Sequence, residues 1–139
     1  MSDTPAVLFV CVKNGGKSQM AAALMRQAVG DTVEVHSAGT HPGTAINAES
    51  AAAVAEVGAD MSDQIPKPID PALLARVDRV VVVGSEAVVD PLPGMAGTIE
   101  TWETVEPSVH GIEGAERMRL IRDDIAARVT VLATELTAI

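Results

Sequence analysis

Cysteine and aromatic residues are nearly missing from this sequence of 139 residues, which contains one Cys, one Phe, one Trp and no Tyr. A lone thiol cannot form an internal disulfide, so the composition is typical of a reducing compartment. No basic stretch leads into an apolar run at the N-terminus, and no run approaches the roughly 20 residues of a transmembrane helix. We therefore expect a cytoplasmic protein with no membrane partner and a core of aliphatic and Met side chains.

Basic residues are also in short supply, because 10 Lys and Arg face 19 Asp and Glu and the formal net charge is −9. Nucleic acids and anionic membranes select for basic surfaces, so we expect no nucleic-acid partner. His36, His41 and His110 lie in different segments without metal-ligand spacing to the cysteine, so no metal site is predicted. Any site for an anion must supply its positive charge locally.

The order of apolar and turn-forming segments predicts one α/β domain over residues 1–139. Continuous apolar runs are typical of buried parallel strands, and apolar residues three and four apart are typical of helices. The predicted strands cover residues 7–12, 32–37, 79–83 and 98–102, and the predicted helices cover residues 17–29, 48–57, 70–76 and 113–136. This order predicts a three-layer sandwich in which helices flank a four-stranded parallel sheet. Functional sites in such sheets lie at the carboxyl ends of the strands, where Cys11 ends the first.

The segment after the first strand carries the chemistry. It reads Cys11-Val12-Lys13-Asn14-Gly15-Gly16-Lys17-Ser18. Residues 13–16 are predicted to form a turn before a helix, and the backbone N–H groups of residues 12–16 make a concave anion site together with the helix N-terminus. The same donors stabilise a thiolate, so Cys11 is the predicted nucleophile. Lys17 adds positive charge, and Ser18 can donate a hydrogen bond to the sulfur when it becomes a leaving group.

Two other interpretations of this segment agree less well with the residues. A buried structural cysteine is the commoner fate of a single Cys, but two lysines, two glycines and a helix start directly after it favour a functional one. A nucleotide-binding phosphate loop is disfavoured, because the spacing G-x-x-x-x-G-K is missing.

The pattern Cys-x5-Lys-Ser after an apolar strand resembles the Cys-x5-Arg-Ser loop of the low-molecular-weight tyrosine phosphatase superfamily, which includes arsenate reductases. Asn14 matches the family's loop-stabilising Asn, and the segment Ser37-Ala38-Gly39-Thr40 resembles its Ser-Ala-Gly-Thr segment after the second strand. The resemblance covers most of the chain and implies the same fold. It also implies that Cys11 and Ser18 act catalytically.

The sequence departs from the family pattern at the loop arginine, which is Lys17 here. A lysine is a point charge and cannot grip an oxyanion bidentately, so anion binding is expected and phosphate-ester hydrolysis is put in doubt. The family's general acid precedes a proline on a late loop. The matching place reads Glu106-Pro107, so we predict Glu106 as the acid, with Asp90 in reserve. An acidic turn residue before a proline is the alternative interpretation of either.

The branch of the superfamily is predicted from what is missing. Its tyrosine phosphatases usually carry aromatic residues beside the acid loop, and its thioredoxin-coupled reductases carry two further cysteines. The resemblance then implies an arsenate reductase that passes arsenic from Cys11 to an external thiol, with mycothiol favoured over glutathione as co-substrate. A mycoredoxin- or glutaredoxin-like protein would finish the reduction, and no bound cofactor is expected. A phosphatase and a non-catalytic oxyanion-binding protein are the alternatives.

Overall fold

The computed structural model describes residues 4–138; the predicted domain also includes residues 1–3 and 139, which lie outside them. Four parallel strands form one sheet in the order β2-β1-β3-β4. The strands are β1 (Ala6–Cys11), β2 (Glu34–Gly39), β3 (Arg79–Val83) and β4 (Thr98–Trp102). The predicted parallel α/β sheet is confirmed.

Helices cover both faces of the sheet. They are α1 (Lys17–Val29), α2 (Ala48–Ala55), α3 (Pro71–Arg76) and α4 (Gly114–Thr137). Helices α1, α2 and α4 pack together on one face, and α3 packs on the other with the segments around it. Among residues 4–138, no helix combines the length and apolar character that a membrane crossing requires.

The side chains of β1 alternate between the two faces, as a pleated strand requires. Val7 and Phe9 join the core under α1 and α4, whereas Leu8 and Val10 join the core under α3. All four are fully buried, which explains why the strand is apolar throughout. The ring of Phe9 packs 5.7 Å from that of Trp102, so the only two aromatic residues of the chain share one contact.

Strand β2 begins two residues later than the alternation predicts. Residues Gly30–Thr32 form a 3-10 turn in which the Thr32 hydroxyl donates to the Val29 carbonyl at 2.6 Å. This bond continues the end of α1 and delays the strand. At its other end, β2 extends to Gly39, whose pairing with Cys11 brings it beside the predicted site.

The strand order places β1 next to β3, although β2 lies between them in sequence. The connection after β1 leads to β2 at one edge of the sheet, and the chain then returns to form β3 on the other side of β1. The carboxyl ends of β1 and β3 therefore flank the topological switch point, where parallel α/β sheets bind ligands. Cys11 is the last residue of β1, and Gly84 directly follows the last residue of β3.

Candidate active site

A hydrogen-bonded chain of three side chains begins at Cys11. Its Sγ lies 2.9 Å from the Oγ of Ser18, and the Nδ2 of Asn14 donates to the same Oγ at 2.7 Å. The assignment of the Asn14 amide follows from its other end, where Oδ1 accepts from the backbone N–H of Lys67 at 3.1 Å. Because Asn14 donates to Ser18, the hydroxyl hydrogen of Ser18 is free to point at the sulfur. Ser18 can thus donate a hydrogen bond to the sulfur of Cys11.

Asn14 stabilises the loop from beneath. It is fully buried and has a φ of 54°, the one left-handed conformation of a non-glycine residue among residues 4–138. Its Oδ1 also accepts from the Nε2 of the buried Gln19 at 3.2 Å. A left-handed backbone costs about 1–2 kcal/mol, which Asn tolerates better than most residues. The turn is therefore maintained by its side-chain contacts.

The loop after β2 binds the outer side of the Cys11 loop through backbone hydrogen bonds. The donors and acceptors are Thr40 N to Cys11 O (3.1 Å), His41 N to Val12 O (2.7 Å), Gly43 N to Lys13 O (2.9 Å) and Asn47 N to Gly15 O (2.7 Å). These bonds occupy carbonyl oxygens of the Cys11 loop and use none of its N–H groups. The N–H groups of residues 12–16 are thereby left for an anion.

Two glycines permit this close approach. A Cβ on Gly39 would meet Val12 O at 2.7 Å and Asn14 N at 3.0 Å, both backbone atoms that cannot move aside. A Cβ on Gly15 would lie 3.1 Å from the carbonyl oxygen of Ala45. Sterics thus explain why the Ser-Ala-Gly-Thr segment has a glycine at position 39. Only a residue without a Cβ lets β2 end against the Cys11 loop.

The N-terminus of α1 points into the same loop without a cap of its own. Its N-cap residue is Gly16, no side chain accepts from the first turn, and no acidic residue lies in that turn. Uncapped N–H groups and the positive end of the helix dipole favour a bound anion. Lys17, half-buried in the first turn, and the exposed Lys13 add two positive charges. This region supplies the local compensation that a protein of net charge −9 needs.

Cys11 opens into a cleft of about 250 Å³ that is also lined by Lys13, Lys17 and Glu86. A larger groove of about 650 Å³ shares Lys13 and Lys17 with it and continues along the loop after β2 towards Arg117. No Asp or Glu lines this groove. The groove is therefore free of carboxylates, whereas the Cys11 cleft that adjoins it contains Glu86.

Glu106 does not line this cleft. Its carboxylate forms a two-point ion pair with Arg117, at 2.7 Å for each contact, and accepts from the Ser108 hydroxyl at 2.7 Å. The Arg117 guanidinium, with help from Ser108, lowers the pKa of Glu106 to about 2. A carboxylate in this state holds no proton at neutral pH. In this arrangement the carboxylate of Glu106 is engaged by Arg117, and its role as general acid stays a prediction. The reserve residue Asp90 is exposed and is likewise absent from the lining of the cleft.

The loop after β3 contributes residues that the sequence reasoning missed. Gly84, with φ of 95°, turns the chain above the cleft, and Glu86 lines it. The signal was available, since the rule that places sites at the carboxyl ends of strands applies to β3 as it does to β1. Among residues 4–138, no group of three His, Cys, Asp or Glu side chains could bind a metal ion.

The chain matches the model of the family described as low molecular weight phosphotyrosine protein phosphatase over residues 6–138. It belongs to that family, as the cysteine loop and the Ser-Ala-Gly-Thr segment predicted. Within the family, a relative described as a putative arsenate reductase of Halobacterium salinarum is 32% identical, with coverage of 91% of this chain and 89% of the relative.

Solved structures of arsenate reductases share the fold. A thioredoxin-dependent arsenate reductase of Corynebacterium glutamicum superposes with a TM-score of 0.80 at 32% identity, covering 97% of this chain and 63% of the other. This chain thus spans less than two thirds of that protein. An arsenate reductase in the phosphate binding state gives a TM-score of 0.82 at 25% identity, covering 96% and 99% of the two chains. These relatives place the chain in the arsenate reductase branch of the family.

Proposed function

We propose that the protein is an arsenate reductase that acts as a thiol transferase, passing arsenic from Cys11 to an external low-molecular-weight thiol. The observation that carries the proposal is a single cysteine at the centre of an anion-binding loop, in a chain with no second thiol. The arsenate reductases among its relatives support the substrate. The lack of a second cysteine supports transfer of arsenic to an external thiol, because the chain cannot form an internal disulfide.

In the first step, the Cys11 thiolate attacks arsenic and one arsenate oxygen leaves as water. The N–H groups of residues 12–16, the N-terminus of α1 and Lys17 bind the remaining oxygens. Hydrogen-bond donors that already lie where negative charge develops lower the activation barrier, because they need no rearrangement during the reaction. When Cys11 later leaves arsenic as a thiolate, the Ser18 hydroxyl, 2.9 Å from the sulfur, stabilises the negative charge by a hydrogen bond.

In the second step, the external thiol attacks arsenic, releases a thiol–arsenate conjugate and restores Cys11. The groove of about 650 Å³ beside the loop offers room for the body of this co-substrate, because small-molecule sites range from about 300 to 1,000 Å³. Mycothiol is the favoured thiol and glutathione the alternative.

A mycoredoxin- or glutaredoxin-like partner then completes the reduction. Its thiolate attacks the sulfur of the conjugate, forming a mixed disulfide while As(V) takes two electrons and leaves as arsenite. No cofactor bound to this chain is needed for these steps. The proposal assigns the protein to the cytoplasm, where such thiols are reduced.

The test is incubation with arsenate and either mycothiol with its redoxin or glutathione with glutaredoxin, with arsenite as the readout. We expect turnover that saturates with the small thiol and is abolished in Cys11→Ser, which preserves the size of the side chain. Thioredoxin and its reductase alone should support essentially no turnover. Full activity with thioredoxin alone would reject the transfer mechanism.

Phosphatase activity is the second candidate, because the contact between Ser18 and Cys11 would equally assist a phosphoryl adduct. Lys17 and the lack of Tyr oppose it. Hydrolysis of an aryl phosphate without any thiol-dependent arsenite formation would favour this candidate. Arsenate binding with neither reaction would identify an oxyanion-binding protein.

A further inference from the structure

We propose that Arg117 binds a carboxylate of the thiol co-substrate, so that the groove beside Cys11 selects low-molecular-weight thiols that carry one. The proposal rests on the proposed function for the reaction and on the groove for its geometry. The groove of about 650 Å³ is lined by Lys13 and Lys17 and, from the first turn of α4, by Arg117. A thiol whose sulfur reaches arsenic on Cys11 therefore extends the rest of its body into a groove that contains this guanidinium.

The orientation of Arg117 is fixed by Glu106. The Nε and Nη2 of Arg117 donate to the two carboxylate oxygens of Glu106, each at 2.7 Å. These bonds fix the plane of the guanidinium, which is rigid and carries five N–H donors. They occupy one edge of the group and leave Nη1 and the second N–H of Nη2 without a partner among residues 4–138. The free edge has the fork geometry that binds another carboxylate at two points.

The groove attracts anions although the protein as a whole is acidic. No Asp or Glu lines it, and its basic side chains are Lys13, Lys17, His41 and Arg117. A depression lined by charges of one sign concentrates ligands of the opposite sign, here on a protein whose net charge is −9. The hydrogen bonds to Glu106 raise the pKa of Arg117, so the guanidinium is charged throughout the neutral range.

The carboxylates around Arg117 lie outside the groove. The charges of Glu113 and Glu49 also act on the guanidinium, but neither residue lines the groove, and Glu106 contacts the edge already described. Because Glu106 offsets the charge of Arg117, this pair contributes directed N–H donors more than net charge. The exposed Lys13 supplies the attraction at longer range.

This chemistry distinguishes between the two thiols named above. Glutathione is a tripeptide with a carboxylate at both ends, whereas mycothiol joins its cysteine to a sugar and carries no carboxylate. The family resemblance favours mycothiol, and the free edge of Arg117 favours glutathione or another thiol with a carboxylate. Binding of the carboxylate leaves both transfer steps unchanged, because it only orients the thiol towards arsenic.

The test measures binding without turnover. S-methylglutathione, whose sulfur cannot react, and its diethyl ester, in which both carboxylates are esterified, are titrated by calorimetry. We expect the acid to bind more tightly than the ester by about 10-fold, the lower value for a charge-assisted hydrogen bond. Arg117→Gln should remove this preference, and Arg117→Lys should retain part of it. The double variant Glu106→Gln with Arg117→Gln should also lose the preference, which shows that an unpaired Glu106 is not its cause.

Arg119→Gln is the matched control. Arg119 lies two residues further along α4 and pairs with Glu56, so the substitution changes the net charge equally and also breaks one ion pair. Arg119 does not line the groove, so the preference for the acid should remain. Equal affinity for acid and ester in the unsubstituted protein would overturn the proposal. So would a preference that persists in Arg117→Gln or is lost equally in Arg119→Gln.

The arsenite assay separates this proposal from the proposed function. Arg117→Gln should raise the KM for glutathione by about 10-fold, more than it lowers kcat, and should affect the KM for mycothiol much less. Arg117-dependent binding of S-methylglutathione without arsenite formation from any thiol would reject the reductase and retain the carboxylate site. Arsenite formation with the same KM for glutathione in Arg117→Gln would retain the reductase and reject the role of Arg117.

Discussion

The two sides of the Cys11 site differ in how firmly they are held. On the β2 side, four backbone hydrogen bonds, a buried Asn14 and two glycines without space for a Cβ fix the oxyanion loop. On the β3 side, the cleft is lined by the exposed Glu86, and the loop that carries Glu106 is tied to Arg117 at the surface. The comparison indicates that the predicted oxyanion loop is held rigidly on the β2 side, whereas the acidic side chains on the β3 side are accessible to solvent.

The largest expected effect on stability and activity comes from adding a methyl group on the β2 side of the site. Gly39→Ala would bring a Cβ within 2.7 Å of Val12 O, so the loop must shift, at a cost of about 2–4 kcal/mol in the free energy of unfolding and most of the activity. Gly43→Ala is the control, since its Cβ would meet Lys13 atoms at an ordinary 3.8 Å. Denaturant unfolding and arsenite formation measure both. Equal behaviour of the two variants would mean that the β2 side is not rigid.

Asn14 tests whether side-chain contacts or backbone shape fix the turn. Asn14→Ala loses the bonds to Ser18 and Gln19 and must retain a φ of 54°, so we expect a loss of about 2–3 kcal/mol in stability. Asn14→Gly loses the same bonds but accepts the backbone, and it should recover about 1 kcal/mol of that loss. If both variants unfold like the unsubstituted protein, the buried amide is dispensable.

Two substitutions of Lys17, which lies between the two sides of the site, separate the contribution of positive charge to anion binding from that of side-chain shape. Lys17→Ala should weaken binding of arsenate or sulfate by about 1.5–3 kcal/mol, the value of a charge-assisted hydrogen bond. Lys17→Arg should retain binding and could add hydrolysis of aryl phosphates, because the guanidinium grips two oxygens. Calorimetric titration measures the affinity. Unchanged affinity in Lys17→Ala would show that the ammonium does not contact the anion.

The smallest effect is expected on the accessible side, at the pair between Glu106 and Arg117. The two side chains are 36% and 29% exposed, so solvent screening limits the contribution of the pair to less than about 1 kcal/mol. Arg117 lowers the pKa of Glu106 to about 2, so this stabilisation is complete above the ordinary carboxyl pKa of about 4.3 and is lost as the pH falls towards 2. Unfolding of Glu106→Gln compared with the unsubstituted protein at pH 7 and pH 2.5 measures it. A difference that grows at the lower pH would contradict the pairing.

The sequence was sufficient for the parts of the molecule that local rules govern. Buried apolar runs predicted β1 and β3, and the pairing of Gly39 with Cys11 agrees with a site at the strand ends. The position of Glu86 in the Cys11 cleft could not be found from sequence spacing, because it depends on β3 lying beside β1 in the sheet. The partner of Glu106 was equally hidden, since Arg117 approaches it from the first turn of α4, where a helical face gives no hint of a loop contact.

The uncapped first turn of α1 has a consequence for the folded state as a whole. With Gly16 at the N-cap, the helix lacks the side-chain acceptor that most helices carry, and an oxyanion bound as proposed would supply it. Whatever binds only the folded chain stabilises it by mass action, by about 2.7 kcal/mol when its concentration is 100 times the dissociation constant. Under the proposed function, arsenate would act as the missing cap as well as the substrate, so it would slow thermal unfolding and proteolysis of the protein that reduces it.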